Sequence, residues 1–422
     1  MKILVVSNTP WNTDNSFGNS YSNIFSGIED LEFANIYCRY GNVNEKKVVK
    51  AFQITEKQLI KNLKNKNFPS GRETDETTET GAVGVEASAF KAARKTRFRI
   101  FALGRELIWK IGRWKSPELK KFIDDFKPDL IFQPVYCSGY INDIAMYCKK
   151  RTGARMLGYI SDDCYTLKQL EFSPVYWIER LIKRPIVKRT IKNCEILYVI
   201  SEVQKQEYEK IFKVPCKVLT KCEDFSQEPP EWELPKDTVR LMYAGNISRG
   251  REKSLSYISN AIERLNNEGF SISFDIYSRS LVDENKFSLK GTKLCGSAPY
   301  KEICKTQNEA DIMIHAEGLS LKDRLEVRQS FSTKLVDFFK LGKCIFAVGS
   351  REQAFAKHLI DNDAAVVAEN KAEVYQKLRA LLENPQDIID YGKKAYDCGR
   401  KYHSKEKTQK MLMEDIKNYA KE

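Results

Sequence analysis

The sequence predicts an α/β protein made of two Rossmann-like domains, and three observations carry that prediction. Apolar runs rich in Val and Ile, with no polar alternation, read as strands of a parallel sheet buried on both faces. Helical patterns separate these runs, as βαβ units require. The alternation stops at "SQEPPEWELPKDT" (226–238), which has three prolines in thirteen residues, and then restarts. Such a stretch reads as a linker between domains. A chain of 422 residues, 42% of them hydrophobic, is long enough for two domains with cores of their own.

Taken in order, "KILVVS" (2–7) is the first strand. The polar loop "SNTPWNTDNSFGNSYSNI" follows, with Gly18 and Asn19 expected just before a helix and their N–H groups free to face a cleft. Residues 64–88 are Thr/Glu-rich and lack periodicity, so a mobile surface insertion is expected there. "SPELKKFIDDF" is a helix that opens on Ser116 as N-cap, Pro117 at the first position and Glu118 behind it. Strands are expected at 128–135, 154–161 and 195–201, and a weaker one at 216–219. In the second half they are expected at 239–245, 270–278, 311–318, 343–349 and 364–368. The last stretch, 404–422, is an amphipathic helix with no strand after it. The expected layout is therefore an N-terminal domain over 1–225, a linker over 226–238, a C-terminal domain over 239–403, and the closing helix.

Composition excludes several classes. No stretch reaches the roughly 18–20 apolar residues of a membrane span. "MKILVVSNTPW" has too short an apolar run and no small-residue cleavage site, so it reads as a strand rather than a signal peptide. The eleven cysteines are odd in number and form no C-x-x-C pair, which suits reduced thiols and argues against a disulfide framework or a zinc site. The net charge of +13 is uneven: residues 1–225 hold 38 Lys+Arg against 27 Asp+Glu, a net of +11, which leaves +2 for the rest. The first half thus either faces an anionic partner, with nucleic acid and an anionic membrane surface as candidates, or simply gains solubility from its charge.

In open parallel sheets, ligands bind beyond the carboxyl ends of the strands. Several polar clusters of the second half fall at such ends. "YAGNISRGREKS" brings Gly245, Asn246 and Arg251, with Lys253 as an alternate to Arg251. "HAEG" brings His315 and Glu317. "RQSFSTKLVDFFKLGKCIFAVGS" brings Gln329, then a helix start at Ser332, Thr333 and Lys334, then Asp337 one turn on. Helix N-termini offer unpaired N–H groups and a partial positive charge to phosphate. Lys334 and an arginine would add full charges, and Asp337 could accept hydrogen bonds from two ribose hydroxyls.

These stretches resemble the donor domain of a GT-B-fold glycosyltransferase, close to the large retaining family (glycosyltransferase family four-like) that includes bacterial capsule and exopolysaccharide enzymes. That family typically has a Glu, seven residues and a second Glu. Here "QSFSTKLVDFFKLGKCIFAVG" aligns without gaps, with Gln329 at the first acid and Asp337 at the second. "VISEVQKQEYEKIFKVPCKVLTKCEDF" (199–225) resembles the family's end of the acceptor domain. The resemblance covers about 155–400 and implies two Rossmann-like domains facing across an interdomain cleft. It also implies that Arg251 and Lys334 grip a diphosphate, and that His315, Glu317 and Gln329 line a sugar. The family's acceptor-domain histidine has no counterpart, because the three histidines are His315, His358 and His403. "YISDDCY" stands at the matching strand end, where Asp162 or Asp163 would touch sugar or acceptor or act as a base. A base at that place would suit inversion, whereas the resemblance implies retention.

Residues 91–121 carry eleven Lys/Arg against two Glu, with Ile100, Leu103, Leu107, Ile111 and Trp114 on one helical face. Together with the cations of 179–192, this pattern suits an anionic membrane surface. Nucleic acid is disfavoured, since no recognised module is present. The expected function is transfer of a hexose from a nucleotide diphosphate-sugar to a hydroxyl of a lipid-linked glycan, by a cytoplasmic, peripheral protein at the inner face of the cell membrane. No cofactor or metal is expected, and no D-x-D stretch follows a strand. The alternative is a non-catalytic nucleotide-sugar or glycan-binding subunit of the same fold. A nicotinamide dehydrogenase is disfavoured, because neither half has G-x-G-x-x-G after its first strand.

Overall fold

The structure, a computed structural model, describes residues 1–74, 98–280 and 282–420. It divides into two compact units. The first comprises Met1–Leu167, Glu171–Leu219 and Thr408–Glu422, and the second Lys168–Leu170 and Thr220–Lys407.

The strands of the first unit are β1 (Lys2–Ser7), β2 (Glu32–Tyr37), β3 (Val48–Gln53), β4 (Arg72–Thr74), β5 (Leu130–Pro134), β6 (Arg155–Ile160), β7 (Ile196–Val199) and β8 (Cys216–Val218). They form one sheet in the order β4-β3-β2-β1-β5-β6-β7-β8. Every pairing is parallel except β3 with β4. The helices are α1 (Ser16–Phe25), α2 (Glu56–Lys64), α3 (Phe98–Ile111), α4 (Pro117–Phe126), α5 (Gly139–Thr152), α6 (Pro174–Lys192) and α7 (Glu202–Phe212). Strands such as β1 and β5 are buried almost throughout, because helices cover both faces of the sheet. Ser116 caps α4 by accepting from the Leu119 N–H at 3.2 Å, with Pro117 at the first position as its sequence requires.

The second unit holds β9 (Val239–Ala244), β10 (Ile272–Tyr277), β11 (Thr292–Gly296), β12 (Ile312–Ala316), β13 (Cys344–Val348) and β14 (Val366–Ala368), in the order β11-β10-β9-β12-β13-β14. All five pairings are parallel. Its helices are α8 (Arg251–Asn267), α9 (Tyr300–Glu309), α10 (Leu321–Glu326), α11 (Thr333–Leu341), α12 (Ala354–Asp361), α13 (Lys371–Glu383) and α14 (Gln386–Tyr402). The last helix, α15 (Lys405–Tyr419), buries Leu412 and Ile416 in the core of the first unit. The strand order reverses between β1 and β5 in one sheet and between β9 and β12 in the other. At such a reversal the flanking loops splay apart and leave a crevice beyond the strand ends.

Several expectations are corrected. Strands β2, β3 and β11 were not read from the sequence. β2 hides its strand character behind Asn35, a fully buried residue that accepts from the Trp11 N–H at 3.0 Å and donates to Ser7 Oγ at 2.9 Å. Part of the expected insertion is ordered as β4, and residues 75–88 of it lie outside the described residues. Cys137 and Cys164 form a disulfide, so not every cysteine is a free thiol; the other nine are. The apolar face expected over 100–114 is also revised. Helix α3 ends at Ile111, Trp114 beyond it is buried, and the side chains of Ile100 and Leu103 lie outside the described residues. The helix buries Trp109 instead, and Leu107 and Ile111 face solvent. Among the described residues, no helix is long and apolar enough to cross a membrane.

Candidate active site

The carboxyl end of β9 and the carboxyl end of β12 flank the reversal in the second sheet. Beyond β9 the chain turns through Gly245 and Asn246, and the Asn246 side chain shapes the turn by accepting from the Ser248 N–H at 2.7 Å. A Cβ on Gly245 would lie 2.5 Å from Lys334 Nζ, so glycine is what lets that ammonium lie over the backbone. Lys334 Nζ donates to the Ala244 carbonyl at 2.7 Å. Gly250 (φ +76°) then opens α8 with no side-chain cap, and Arg251 is the first residue of the helix.

Arg251 bonds Glu317, just past β12, in a two-pronged pair: Nε to Oε2 at 2.9 Å and Nη2 to Oε1 at 2.8 Å. His315 is buried on β12, with its Nε2 3.8 Å from Glu317 Oε1. That nitrogen has no hydrogen-bond partner among the described residues. Burial, helped by the charges of Arg251 and Lys334, pushes the imidazole pKa down to about 3, so the ring is neutral. Burial also lowers the Lys334 pKa, with Arg251 adding to the effect, and raises that of Glu317 against the pull of Arg251. For Arg251, burial opposes the charge and the bonds to Glu317 outweigh it. Two cations, one acid and one neutral imidazole, its Nε2 without a hydrogen bond among the described residues, therefore share this strand edge.

At the start of α11 the N-cap Ser332 makes no side-chain cap bond. Thr333 and Lys334 open the first turn with much of their surface in solvent, while the Lys334 ammonium folds back onto the Ala244 carbonyl among packed groups; Gln329 is buried nearby in sequence. Asp337, one turn on, is held by the ammonium of Lys221, which also lies 3.3 Å from Glu223. Burial raises the Asp337 pKa and Lys221 opposes the rise. Lys221 was missed by sequence reasoning, because it comes from a short stretch without periodicity, 116 residues away. Lys253, the alternate cation, is exposed and absent from this set.

The first unit treats its candidate residues differently. Asp163, beyond β6, accepts from the N–H groups of Tyr165 at 3.0 Å and Thr166 at 2.9 Å, from Tyr208 Oη at 3.1 Å, from Arg180 Nη2 at 3.1 Å and from the Thr166 hydroxyl. Burial works against its charge, yet these donors hold its pKa below the usual range. This corrects the reading of Asp163 as a base: a carboxylate so occupied and so acidic anchors a loop and is a poor proton acceptor. The Cys137–Cys164 disulfide staples that loop to the one after β5. Asp162 is exposed. Gly18 and Asn19 lie inside α1, not before it, and their N–H groups bond Asn15 Oδ1 at 2.8 Å and Asn15 O at 2.9 Å. The expectation that those N–H groups face a ligand is thereby corrected.

No family model matches the sequence, and no curated protein matches it. Solved structures do match in fold. Sucrose-phosphate synthase from Thermosynechococcus elongatus aligns with a TM-score of 0.60 at 10% identity, over 99% of this chain and 98% of that one. HepE from Anabaena, in complex with UDP, aligns with a TM-score of 0.64 at 9% identity, over 99% and 100%. The trehalose-6-phosphate synthase OtsA aligns with a TM-score of 0.58 at 12% identity, over 99% of each chain. The two parallel-sheet units of this chain have the GT-B glycosyltransferase fold that these proteins share, along nearly their whole length.

Proposed function

We propose that this chain is a hexosyltransferase that takes its sugar from a nucleotide diphosphate-sugar. The observation that carries the reading is the set at the carboxyl ends of β9 and β12. Lys334 is held by the Ala244 carbonyl and Arg251 by Glu317, with a longer bond from Arg251 Nη1 to the Asn246 carbonyl at 3.5 Å, and a diphosphate could replace the carbonyl on Lys334 and Glu317 on Arg251. HepE, similar in fold, has been solved in complex with UDP-glucose.

In this reading the diphosphate takes the place of Glu317 on Arg251 and of the Ala244 carbonyl on Lys334. The uncapped first turn of α11 adds N–H donors at Ser332 and Thr333. As the bond from the sugar's anomeric carbon to the phosphate oxygen breaks, its electron pair leaves on that oxygen. Two fixed cations in a partly desolvated site stabilise the charge that grows there. The acceptor oxygen bonds the anomeric carbon, and its proton passes to the departing diphosphate, which gives retention. The cations take the part a metal would take, so none is invoked. Neutral His315 offers Nε2 to a sugar hydroxyl, with Glu317 and buried Gln329 beside the hexose. Asp337 exchanges Lys221 for the ribose, and Gly245 with Asn246 shapes the floor of the site. On the acceptor side this reading assigns exposed Asp162 and Asn19 to the acceptor, with Gly18 giving α1 its close approach to the preceding turn.

The acceptor in this proposal is a lipid-linked glycan of cell-surface polysaccharide synthesis, such as capsule or exopolysaccharide. The chain would then work as a peripheral protein on the cytoplasmic face of the membrane. The positive excess of residues 1–225 supports this. The second reading, a binding subunit without turnover, is favoured by Gln329 in place of an acid and by the occupied Asp337. The deciding experiment is a panel of nucleotide-sugars with membrane extract as acceptor, read by thermal shift and by nucleotide release. A shift with release establishes the transferase. A shift without release establishes the binding subunit, and no shift with any donor removes both.

A further inference from the structure

Helix α6 buries Val187 and Ile191 along its second half in the ordinary way, but its first half is inside out. Its buried face carries Arg180 and Lys183, each 9% exposed, while Ile178, Leu181 and Ile182 are 52, 53 and 57% exposed. A helix packed only against its own protein would turn the other way, since burying a cation costs free energy unless it is paired and hydrogen-bonded. Here the pairing is supplied. Arg180 donates to the Thr166 carbonyl at 2.6 Å and to the carbonyl and carboxylate of Asp163 at 2.9 and 3.1 Å. Lys183 bonds Glu179 and lies 3.4 Å from Glu106 of α3. Helix α3, tied alongside by that contact, buries Trp109 but also leaves large apolar side chains in solvent: Leu107 and Ile111 are 58 and 57% exposed.

We propose that this face of α3 and α6 lies in the interface of an anionic lipid bilayer. The proposal rests on the membrane-borne acceptor above and names the surface that meets the membrane. The exposed stripe of α6 changes character along its length. Ile178, Leu181 and Ile182 are followed, on the same side, by exposed Lys188 and Lys192. Exposed Lys110 sits between Leu107 and Ile111 on α3. An apolar row edged by lysines sinks among acyl chains while its ammonium groups reach lipid phosphates. The same lysines disfavour a second copy of this chain, because a two-fold contact would bring like charges together. They also disfavour the core of a protein interface, where Lys is depleted.

The test is co-sedimentation of the full chain with vesicles of phosphatidylcholine alone or with one quarter phosphatidylglycerol. The anionic vesicles are expected to bind at least about tenfold tighter, and less so as salt rises. Leu181→Ser with Ile182→Ser is expected to weaken binding to the anionic vesicles about tenfold. Lys188→Gln with Lys192→Gln is expected to remove most of the anionic preference. All these sites are exposed, so the melting temperature and the nucleotide-induced shift should stay as in the unsubstituted chain. Indifference to vesicles, or variants that bind them unchanged, would overturn the proposal. So would a serine variant that loses self-association in sedimentation velocity, because a second copy would then cover the face. Vesicle binding without any nucleotide response leaves the surface standing and removes the transferase, and the reverse result does the opposite.

Discussion

The two sheets present their carboxyl ends in opposite ways. In the first unit, the buried acid at the strand edge is saturated: five donors converge on Asp163, and a disulfide closes beside it. In the second, the groups are held by exchangeable partners, and the His315 Nε2 has none among the described residues. The loop after β6, one strand away from the reversal of the first sheet, thus braces its neighbours, whereas the strand ends at the reversal of the second leave the His315 Nε2 without a hydrogen bond among the described residues. Hydrogen-bond satisfaction is what separates them, because a saturated buried carboxylate has little left to offer a substrate.

The comparison breaks first at Asp163. Asp163→Ala would leave buried Arg180 without its carboxylate and should cost about 3–5 kcal/mol of stability, read by denaturant melts. A variant as stable as the unsubstituted chain but inactive would return Asp163 to the chemistry. The opposite pattern is expected in the second unit. Lys334→Ala and Arg251→Ala should each cut turnover at least about 100-fold; Lys334→Ala should leave the melting temperature little changed, whereas Arg251→Ala strips buried Glu317 of its partner and should lower it. Full activity in either variant would remove that residue from the mechanism.

A third measurement uses pH. The folded-state pKa of His315 and of His403 lies at about 3, well below the ordinary value, chiefly because of burial. Between about 6.5 and 3 the unfolded chain therefore binds more protons than the folded one, so stability rises with pH and is lost as pH falls below about 6.5. Each group should contribute on the order of 1.4 kcal/mol per pH unit through that window. Melts of His315→Gln should show a shallower slope there than the unsubstituted chain, and an unchanged slope would mean that the ring is not buried neutral. The smallest effect concerns the loop after β1. Asn15→Ala removes the acceptor of the Gly18 N–H and should cost about 1 kcal/mol of stability with turnover intact. Lost turnover at unchanged stability would make that loop part of the site.

Much of the fold was legible because its determinants are local. The buried strands β1, β7 and β13 are apolar runs, and α4 begins where Ser116 and Pro117 say it must. The stretch from Arg328 to Ser350 announced a helix start with a lysine and an acid one turn on, and α11 begins at Thr333 as expected. β2 was illegible because Asn35 interrupts it, and bonds to Trp11, Ser7 and the Val5 carbonyl make that burial tolerable. The disulfide pairs cysteines 27 residues apart, and spacing alone gave no sign of it.

Sequence alone determined the alternation of strand and helix, the two-domain plan, and the placing of Arg251, His315, Glu317 and Lys334 at strand ends and a helix start. These follow from periodicity and from short-range backbone chemistry, which neighbouring residues specify. Only the tertiary structure decided which polar groups were already taken: that Lys221 holds Asp337, that Asn15 caps Gly18, that Asp163 is saturated, and that α6 turns Arg180 and Lys183 inward. The reason is that hydrogen bonds and ion pairs act over about 3–4 Å, so a residue's partners depend on which distant segments the packing brings that close.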